Sequence, residues 1–213
     1  MNYYHNLITD KSWSTLKLLQ KEFDFILIGG WAVFLYTRAL KSKDIDIVLE
    51  YGELEKIKEK FDVSKNERLN KYEARLGETE IDIYVPFFSN PGLPAEDLKK
   101  FRISLEGFSV VKKEILAILK QKALKERADS VKGRKDLMDL ISIFSLADFD
   151  WSFYNKTCSD YDLVRDKSFV RRTIGKTVDL EEIGLNAHKM AAVKKKIIAG
   201  MSLKCLKPSA NLS

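Results

Sequence analysis

The sequence predicts an α/β (α+β) chain: a mixed, twisted sheet flanked by helices, followed by a helical C-terminal region. Three observations predict it. An apolar run, Phe25-Ile26-Leu27-Ile28, is closed at once by Gly29 and Gly30, the pattern of a strand buried on both faces that ends in a turn. Two later stretches, 44–49 and 79–85, alternate apolar and polar residues with the period of a strand. From Lys112 onward the apolar period lengthens to that of a helix. Residues 1–111 are therefore expected to form a sheet-bearing core and residues 112–213 a helical region.

Taken in order, residues 9–23 predict a helix, with Thr9 or Asp10 as its cap and Trp13, Leu16, Leu19 and Phe23 at helical spacing. The apolar strand and the glycine pair follow. Residues 31–40 predict a second helix, in which Ala32, Leu35, Tyr36 and Ala39 share a face. Ser42 opens the turn into the strand 44–49. A charged helix over 53–60 and a short strand over 61–64 come next. Residues 71–86 read as a hairpin turning at Gly77-Glu78. Pro86, Pro91 and Pro94 stiffen the loop 86–94, whose Phe87 and Phe88 belong either to the core or to a base-binding pocket. A strand pair covers 101–111. Helices are expected over 112–128 and 132–146, from about Asp150, and over 179–200. The tail 207–213 is expected to fray.

The chemistry starts with Asp44 and Asp46. At i and i+2 on a strand both carboxylates lie on one face, about 7 Å apart. Two such charges repel unless a cation sits between them, and oxygen ligands suit Mg²⁺ (or Mn²⁺). Gly29-Gly30 stands at a helix start, where free N–H groups and the helix dipole favour an anion. Taken alone, a D-x-D pair commonly marks a solvated strand face and a Gly-Gly pair a turn. Their fixed order, with strands on both sides, is what points to a phosphate cradle beside a metal clamp. Ile81-Asp82-Ile83 repeats the pattern of Ile45-Asp46-Ile47, so a neighbouring strand would bring Asp82 beside the first two acids. Glu80 shares its face.

The pattern G-G-x13-D-x-D after an apolar strand resembles the first motif of the polymerase-β-type nucleotidyltransferase superfamily. That resemblance implies a nucleotidyltransferase fold. It also implies that Asp44 and Asp46 bind the metal ions, and that Asp82 is the third acid, completing the site and activating the attacking hydroxyl. In the helical half, Lys120-x-x-Ala123-x-x-x-Arg127 followed by Lys135-Asp136-x-x-Asp139-Leu140 resembles small nucleotidyltransferases of the AbiEii toxin type. This second resemblance implies that Lys120, Arg127, Lys135 and Asp136 face the cleft. Lys122 lies one helical step off, and Asp139 is a candidate for holding Arg127 or Lys135. The candidate catalytic and metal-binding residues are thus Asp44, Asp46 and Asp82. The candidate nucleotide-binding residues are Gly29, Gly30, Ser42, Lys120, Arg127, Lys135 and Asp136. The implied reaction moves a nucleoside monophosphate from an NTP to a hydroxyl, with RNA (the 3′ end of tRNA) as acceptor and an antitoxin protein as partner. Two rivals stay open: a transferase acting on a protein or small-molecule hydroxyl such as an aminoglycoside, and a non-catalytic nucleotide- or RNA-binding module.

Composition bounds these readings. Apolar residues make up 45% of the chain, enough for a core, which argues against disorder. A net charge of +6 suits an anionic partner, and equally a lysine-rich soluble surface. Lys189 and Lys194-Lys195-Lys196 give the last helix a basic face with the same two meanings, and His188 reads as a surface residue. Cys158 and Cys205 have no metal-ligand spacing, and no apolar run reaches the ~20 residues of a membrane span. A cytoplasmic protein without a membrane partner is expected.

Overall fold

The computed structural model describes residues 2–202, with side chains from Leu7 onward. Its elements are α1 (Asn2–Glu22), β1 (Ile26–Ile28), α2 (Gly29–Thr37), β2 (Ile45–Val48), α3 (Tyr51–Lys58), β3 (Val63–Asn66), β4 (Lys71–Leu76), β5 (Thr79–Tyr84), α4 (Ala95–Leu98), β6 (Arg102–Leu105), β7 (Phe108–Val111), α5 (Lys113–Arg127), α6 (Val131–Phe144), α7 (Trp151–Asp160), α8 (Val164–Lys176) and α9 (Ala187–Met201). The expected fraying of 207–213 lies outside the described residues.

Seven strands form one mixed sheet in the order β3-β4-β5-β2-β1-β7-β6. β1 runs antiparallel to β2 and parallel to β7, and β2 runs parallel to β5. Hairpins β4-β5 and β6-β7 extend the two sides. Period two does the rest. Ile45, Ile47, Ile81 and Ile83 are buried on one face of the central strands, which leaves Asp46 and Asp82, both half-buried, on the other.

The helices close the core. Trp31 of α2 is buried, and its indole N–H donates to Ser12 Oγ of α1 at 2.8 Å. Trp13 packs against Trp31, Phe34 and Phe108. α5 buries Ile115, Leu116, Ile118 and Leu119, and α6 packs beside it. Ser130 caps α6 by accepting from the Gly133 N–H. A Cβ on Gly133 would come 2.0 Å from the Arg127 carbonyl, so glycine is what lets the two helices approach here. Asp150 and Asn186 cap α7 and α9 in the same way.

The structure departs from expectation in four places. α1 begins at Asn2, so Thr9 and Asp10 lie within the helix and do not cap it. Residues 164–176 form α8, which has only Val170 and Ile174 buried and so shows little apolar period. The helix expected over 179–200 begins only at Ala187. Before it, Leu180 and Leu185 bridge around Gly184, which takes φ +73. Phe87 is neither core nor pocket wall: it is 87% exposed, with φ +60. Phe88 instead packs on Tyr72 with the Lys65 ammonium over its ring.

Candidate active site

The parallel register of β2 on β5 makes Asp46 and Asp82 direct partners on neighbouring strands. Their carboxylates therefore leave the same face of the sheet, side by side. The antiparallel register of β1 on β2 places Ile28 opposite Asp46, and the next residue, Gly29, begins α2. Gly29 has φ +67, and a Cβ there would lie 1.9 Å from Asp46 Oδ2. Asp46 thus abuts the N-terminal turn of α2, and only a glycine leaves room for it. Gly29→Ala is expected to cost about 1–3 kcal/mol for the left-handed backbone alone and to displace the Asp46 carboxylate as well. A thermal unfolding midpoint equal to that of the parent chain would refute this.

Asp44 lies in the bend just before β2 and pairs with Lys132 Nζ at 3.3 Å. Asp82 pairs with Lys71 Nζ at 2.6 Å, and the same ammonium meets Glu73 Oε1 at 2.9 Å. Asp46 and Asp82 hold their charge reluctantly. Burial raises the Asp46 carboxyl above its ordinary value, Lys120 partly offsets this, and the negative charge of Asp44 adds to it. Burial, followed by the charge of Asp46, pushes Asp82 up to about 6, against the pull of Lys71. Burying these two carboxylates side by side is costly, and a divalent cation between them would relieve that cost. Among the described residues no three acidic, His or Cys side chains converge closely enough for a closed metal cluster. Asp46 and Asp82, with Asp44 close enough to act on Asp46, fit an open site in which substrate oxygens supply further ligands.

A cleft of about 490 Å³ opens in front of this pair, lined among others by Gly29, Asp46, Asp82, Lys71, Lys120 and Arg127. Asp44 lies instead in an adjoining groove of about 390 Å³, with Glu80, Glu73 and Lys132, and Asp82 and Lys71 line both. Lys122 also lines the cleft and donates to the Asn90 carbonyl at 2.6 Å.

The basic wall is built by α5 and α6. Lys120 is buried, with Nζ 3.0 Å from Asp136 Oδ1 and 2.7 Å from Asp139 Oδ2. Arg127 Nε donates to Asp136 Oδ2 at 2.7 Å. Asp136 therefore acts on the cleft through the two cations it orients, and the partner of Asp139 is Lys120, not Arg127 or Lys135. Lys135 donates to Ser42 Oγ at 3.3 Å, and a Cβ on Gly30 would meet both groups, at 2.6 Å from Ser42 Oγ and 2.8 Å from Lys135 Nζ. Gly30, Ser42 and Lys135 thus form one cluster at the first turn of α2, adjacent to the cleft and not among its lining residues. Lys135 has no ion pair among the described residues. Burial lowers its pKa, the charge of Asp139 opposes the shift and the neighbouring Lys120 adds to it. An ammonium held at the positive end of a helix is an arrangement that an anion would stabilise.

No family model matches the chain, and no curated protein sequence matches it. Solved structures do. JHP933 from Helicobacter pylori aligns over 90% of this chain and 92% of its own, at 16% identity and a TM-score of 0.52. The two chains share a fold. A Helicobacter pylori chain provisionally named a nucleotidyltransferase aligns over 91% of this chain and 94% of its own, at 16% identity and a TM-score of 0.49. An antigenic nucleotidyltransferase-like protein from Paracoccidioides brasiliensis aligns over 83% and 96%, at 17% identity and a TM-score of 0.41. The sheet flanked by helices is the architecture expected from the sequence, and among the described residues no helix is long and apolar enough to cross a membrane.

Lys71 is a cleft-lining residue absent from the sequence-based set. Its signal is period two: Lys71, Glu73 and Arg75 alternate against Tyr72, Ala74 and Leu76. The hairpin register then sets Glu73 opposite Asp82.

Proposed function

We propose that the chain is a nucleotidyltransferase that moves a nucleoside monophosphate from an NTP to a hydroxyl acceptor and releases pyrophosphate. One observation carries the reading. Asp46 and Asp82 are register partners, Asp46 abuts the glycine start of α2, and both acids line one cleft together with Lys120 and Arg127. Acids that can hold a metal ion and cations that can neutralise a triphosphate share that cleft.

Asp46 and Asp82, with Asp44, would hold Mg²⁺ (or Mn²⁺), which supplies charge neutralisation on the attacking and leaving oxygens. The chain's own groups do the rest. The N–H groups at Gly29 and Gly30, with Ser42 and Lys135, bind the terminal phosphates. Lys120 and Arg127, fixed by Asp136, draw the triphosphate against the basic wall. Asp82, which lines the cleft beside Asp46, takes the proton of the acceptor hydroxyl. The hydroxyl oxygen bonds to the α-phosphorus, the bond from that phosphorus to the β-bridging oxygen breaks, and pyrophosphate carries the electron pair away.

On the AbiEii-type resemblance, the acceptor is an RNA hydroxyl, the 3′ end of tRNA, and the partner an antitoxin protein. Incubation with each labelled NTP, total RNA and Mg²⁺ or Mn²⁺ tests this. Label is expected in the tRNA band with the parent chain and in none with Asp82→Asn. Label on a protein or amino sugar would move the acceptor, and NTP binding without turnover would favour the non-catalytic module. The metal has a readout apart from turnover. Millimolar Mg²⁺ is expected to raise the melting temperature by about 2–4 °C, from roughly 1 kcal/mol of binding linkage. Asp46→Asn should lose that shift, and an equal shift in both would remove Asp46 from the metal site.

A further inference from the structure

The positive charge of the chain is concentrated in one place. Between Val164 and Ser202 stand nine Lys and Arg residues against four Asp and Glu, so this short segment accounts for most of the net +6 of the whole chain. These residues form α8 and α9. Both helices turn apolar residues inward, Val170 and Ile174 from one, Met190, Ile197 and Met201 from the other. What they turn outward is basic. Arg165, Arg172 and Lys176 stand at i, i+7 and i+11 of α8, one stripe of a helix, and all three are exposed, as are Arg171, Lys189, Lys195 and Lys196.

A solvated lysine face is the ordinary meaning of such a stripe, and the rest of the molecule shows what that looks like here. Elsewhere the surface cations are largely neutralised: Lys11 by Glu78, Lys58 by Glu55, Lys60 by Glu22, Lys99 by Glu50. On α8 and α9, among the described residues, no Lys or Arg has a carboxylate within ion-pair distance. Lys167 and Lys194 are used internally, donating to Asn155 Oδ1 and to the Thr177 carbonyl. The others form a field of like charges that repel one another and lack counterions from the protein.

The surface is also tied to the cleft. Asp166, in the first turn of α8, pairs with Lys125 in the last turn of α5 at 2.5 Å. Glu182, in the turn between α8 and α9, takes a two-pronged contact from Arg134 of α6, at 2.7 and 3.0 Å. The two anchors flank the α5-α6 corner. On one side stands Arg127 of the cleft, on the other Lys132 and Lys135. Two of the four acids of this segment are thus spent on attachment to α5 and α6, and seven of its nine cations are left exposed.

We propose that the outward faces of α8 and α9 are a docking surface for the phosphate backbone of a nucleic acid, the molecule that carries the acceptor hydroxyl to the cleft. The role as acceptor rests on the transferase reading; the binding does not. Guanidinium groups suit phosphate oxygens by their planar fork, and spaced charges without a reading pocket suit sequence-independent backbone contact.

The test is fluorescence anisotropy with labelled bulk tRNA and, separately, a labelled DNA duplex, over a salt series. The variant R165Q/R172Q/K176Q/K195Q/K196Q alters exposed side chains outside the cleft, and K56Q/K58Q/K60Q serves as its control. The parent chain is expected to bind tRNA with a steep salt dependence. In the five-residue variant, affinity should fall at least about tenfold near 0.1 M salt and the log–log salt slope by about 3–4, with the control within about twofold of the parent. A parent chain that binds neither nucleic acid overturns the proposal. So does a five-residue variant that binds as the parent does, a control that loses as much, or tighter binding to polyglutamate or anionic vesicles than to either nucleic acid. Duplex DNA bound more tightly than tRNA would make DNA the docked acid. Asp46→Asn, which keeps the surface, should bind tRNA like the parent. If binding behaves as stated and no RNA is ever labelled, the surface stands and the transferase reading falls. If the five-residue variant labels tRNA with an unchanged KM, the surface falls and the transferase reading stands.

Discussion

Replacing Asp46 by Asn is expected to lower nucleotide transfer by about 10³-fold or more, the equivalent of several kcal/mol of metal-borne charge stabilisation. The substitution is isosteric, so the cavity beside Gly29 stays filled and the fold should persist. The charge is what goes. Asp46 is the acid linked to each of the other two. It is the register partner of Asp82, touches the start of α2, and has its pKa raised in part by Asp44. Asp82→Asn should match it if, as proposed, Asp82 is both a metal ligand and the proton acceptor. Asp44→Asn separates two geometries. Asp44 lies outside the strand with Lys132 as its counterion, so a loss equal to that of Asp46 means that the Lys132 ammonium yields to the metal. Full activity in that variant would confine the clamp to Asp46 and Asp82. Asp46→Asn retaining more than about a tenth of the parent rate would sink the mechanism, since uncharged amides replace carboxylates poorly at a hard cation.

How far this site can be read from residues alone follows from what periodicity encodes. Period two assigns a face, so Asp46 and Asp82 read correctly as lying opposite the buried Ile45, Ile47, Ile81 and Ile83, while Asp44, expected in the same strand, falls just before it. The repeated Ile-Asp-Ile pattern also matches two strands that bury the same residues side by side. The hairpin expected over 71–86, turning at Gly77-Glu78, likewise sets β4 beside β5 with Glu73 opposite Asp82. Lys71 belongs to the polar face of its own strand, but nothing local states that its ammonium reaches across to the Asp82 carboxylate. The helical half shows the same limit. The spacing of Asp136 and Asp139 places them on one helix face, yet that this face closes on Lys120 depends on the approach of α5 to α6, which Gly133 permits. α8 is harder still. Its buried stripe is Val170 and Ile174 alone, too narrow to rise above a charged background, and its place is set by Lys125 and by packing on α5 and α9.

The second large effect concerns stability. Lys120→Met is expected to destabilise the chain by about 3–5 kcal/mol, equivalent to a fall of roughly 10 °C in melting temperature for a chain of this size. The lysine is buried between two buried carboxylates, and its removal strands them: Asp136 keeps Arg127, while Asp139 loses the partner 2.7 Å away. The effect depends on pH, with a definite sign. Burial opposes the charge on Asp136, but Lys120 and Arg127 together bring its carboxyl below the ordinary carboxylate range. A lowered folded pKa gives stability that is present above the unfolded value, near ~3.9, and lost as pH falls through the folded one. The gap between parent and Lys120→Met should therefore be widest near neutrality and shrink below about pH 4, as urea unfolding at pH 7 and pH 3 would measure. A difference under about 1 kcal/mol at pH 7 would refute the strength assigned to the network. The double variant Lys120→Met/Asp139→Leu removes a buried charge from each side and should recover much of the loss. That recovered protein decides a further point. If it folds and still transfers nucleotide at the parent rate, Lys120 serves the core and leaves the triphosphate to Arg127 and Lys135. If it folds and KM for the NTP rises with the lysine gone, the same ammonium serves both the core and the cleft.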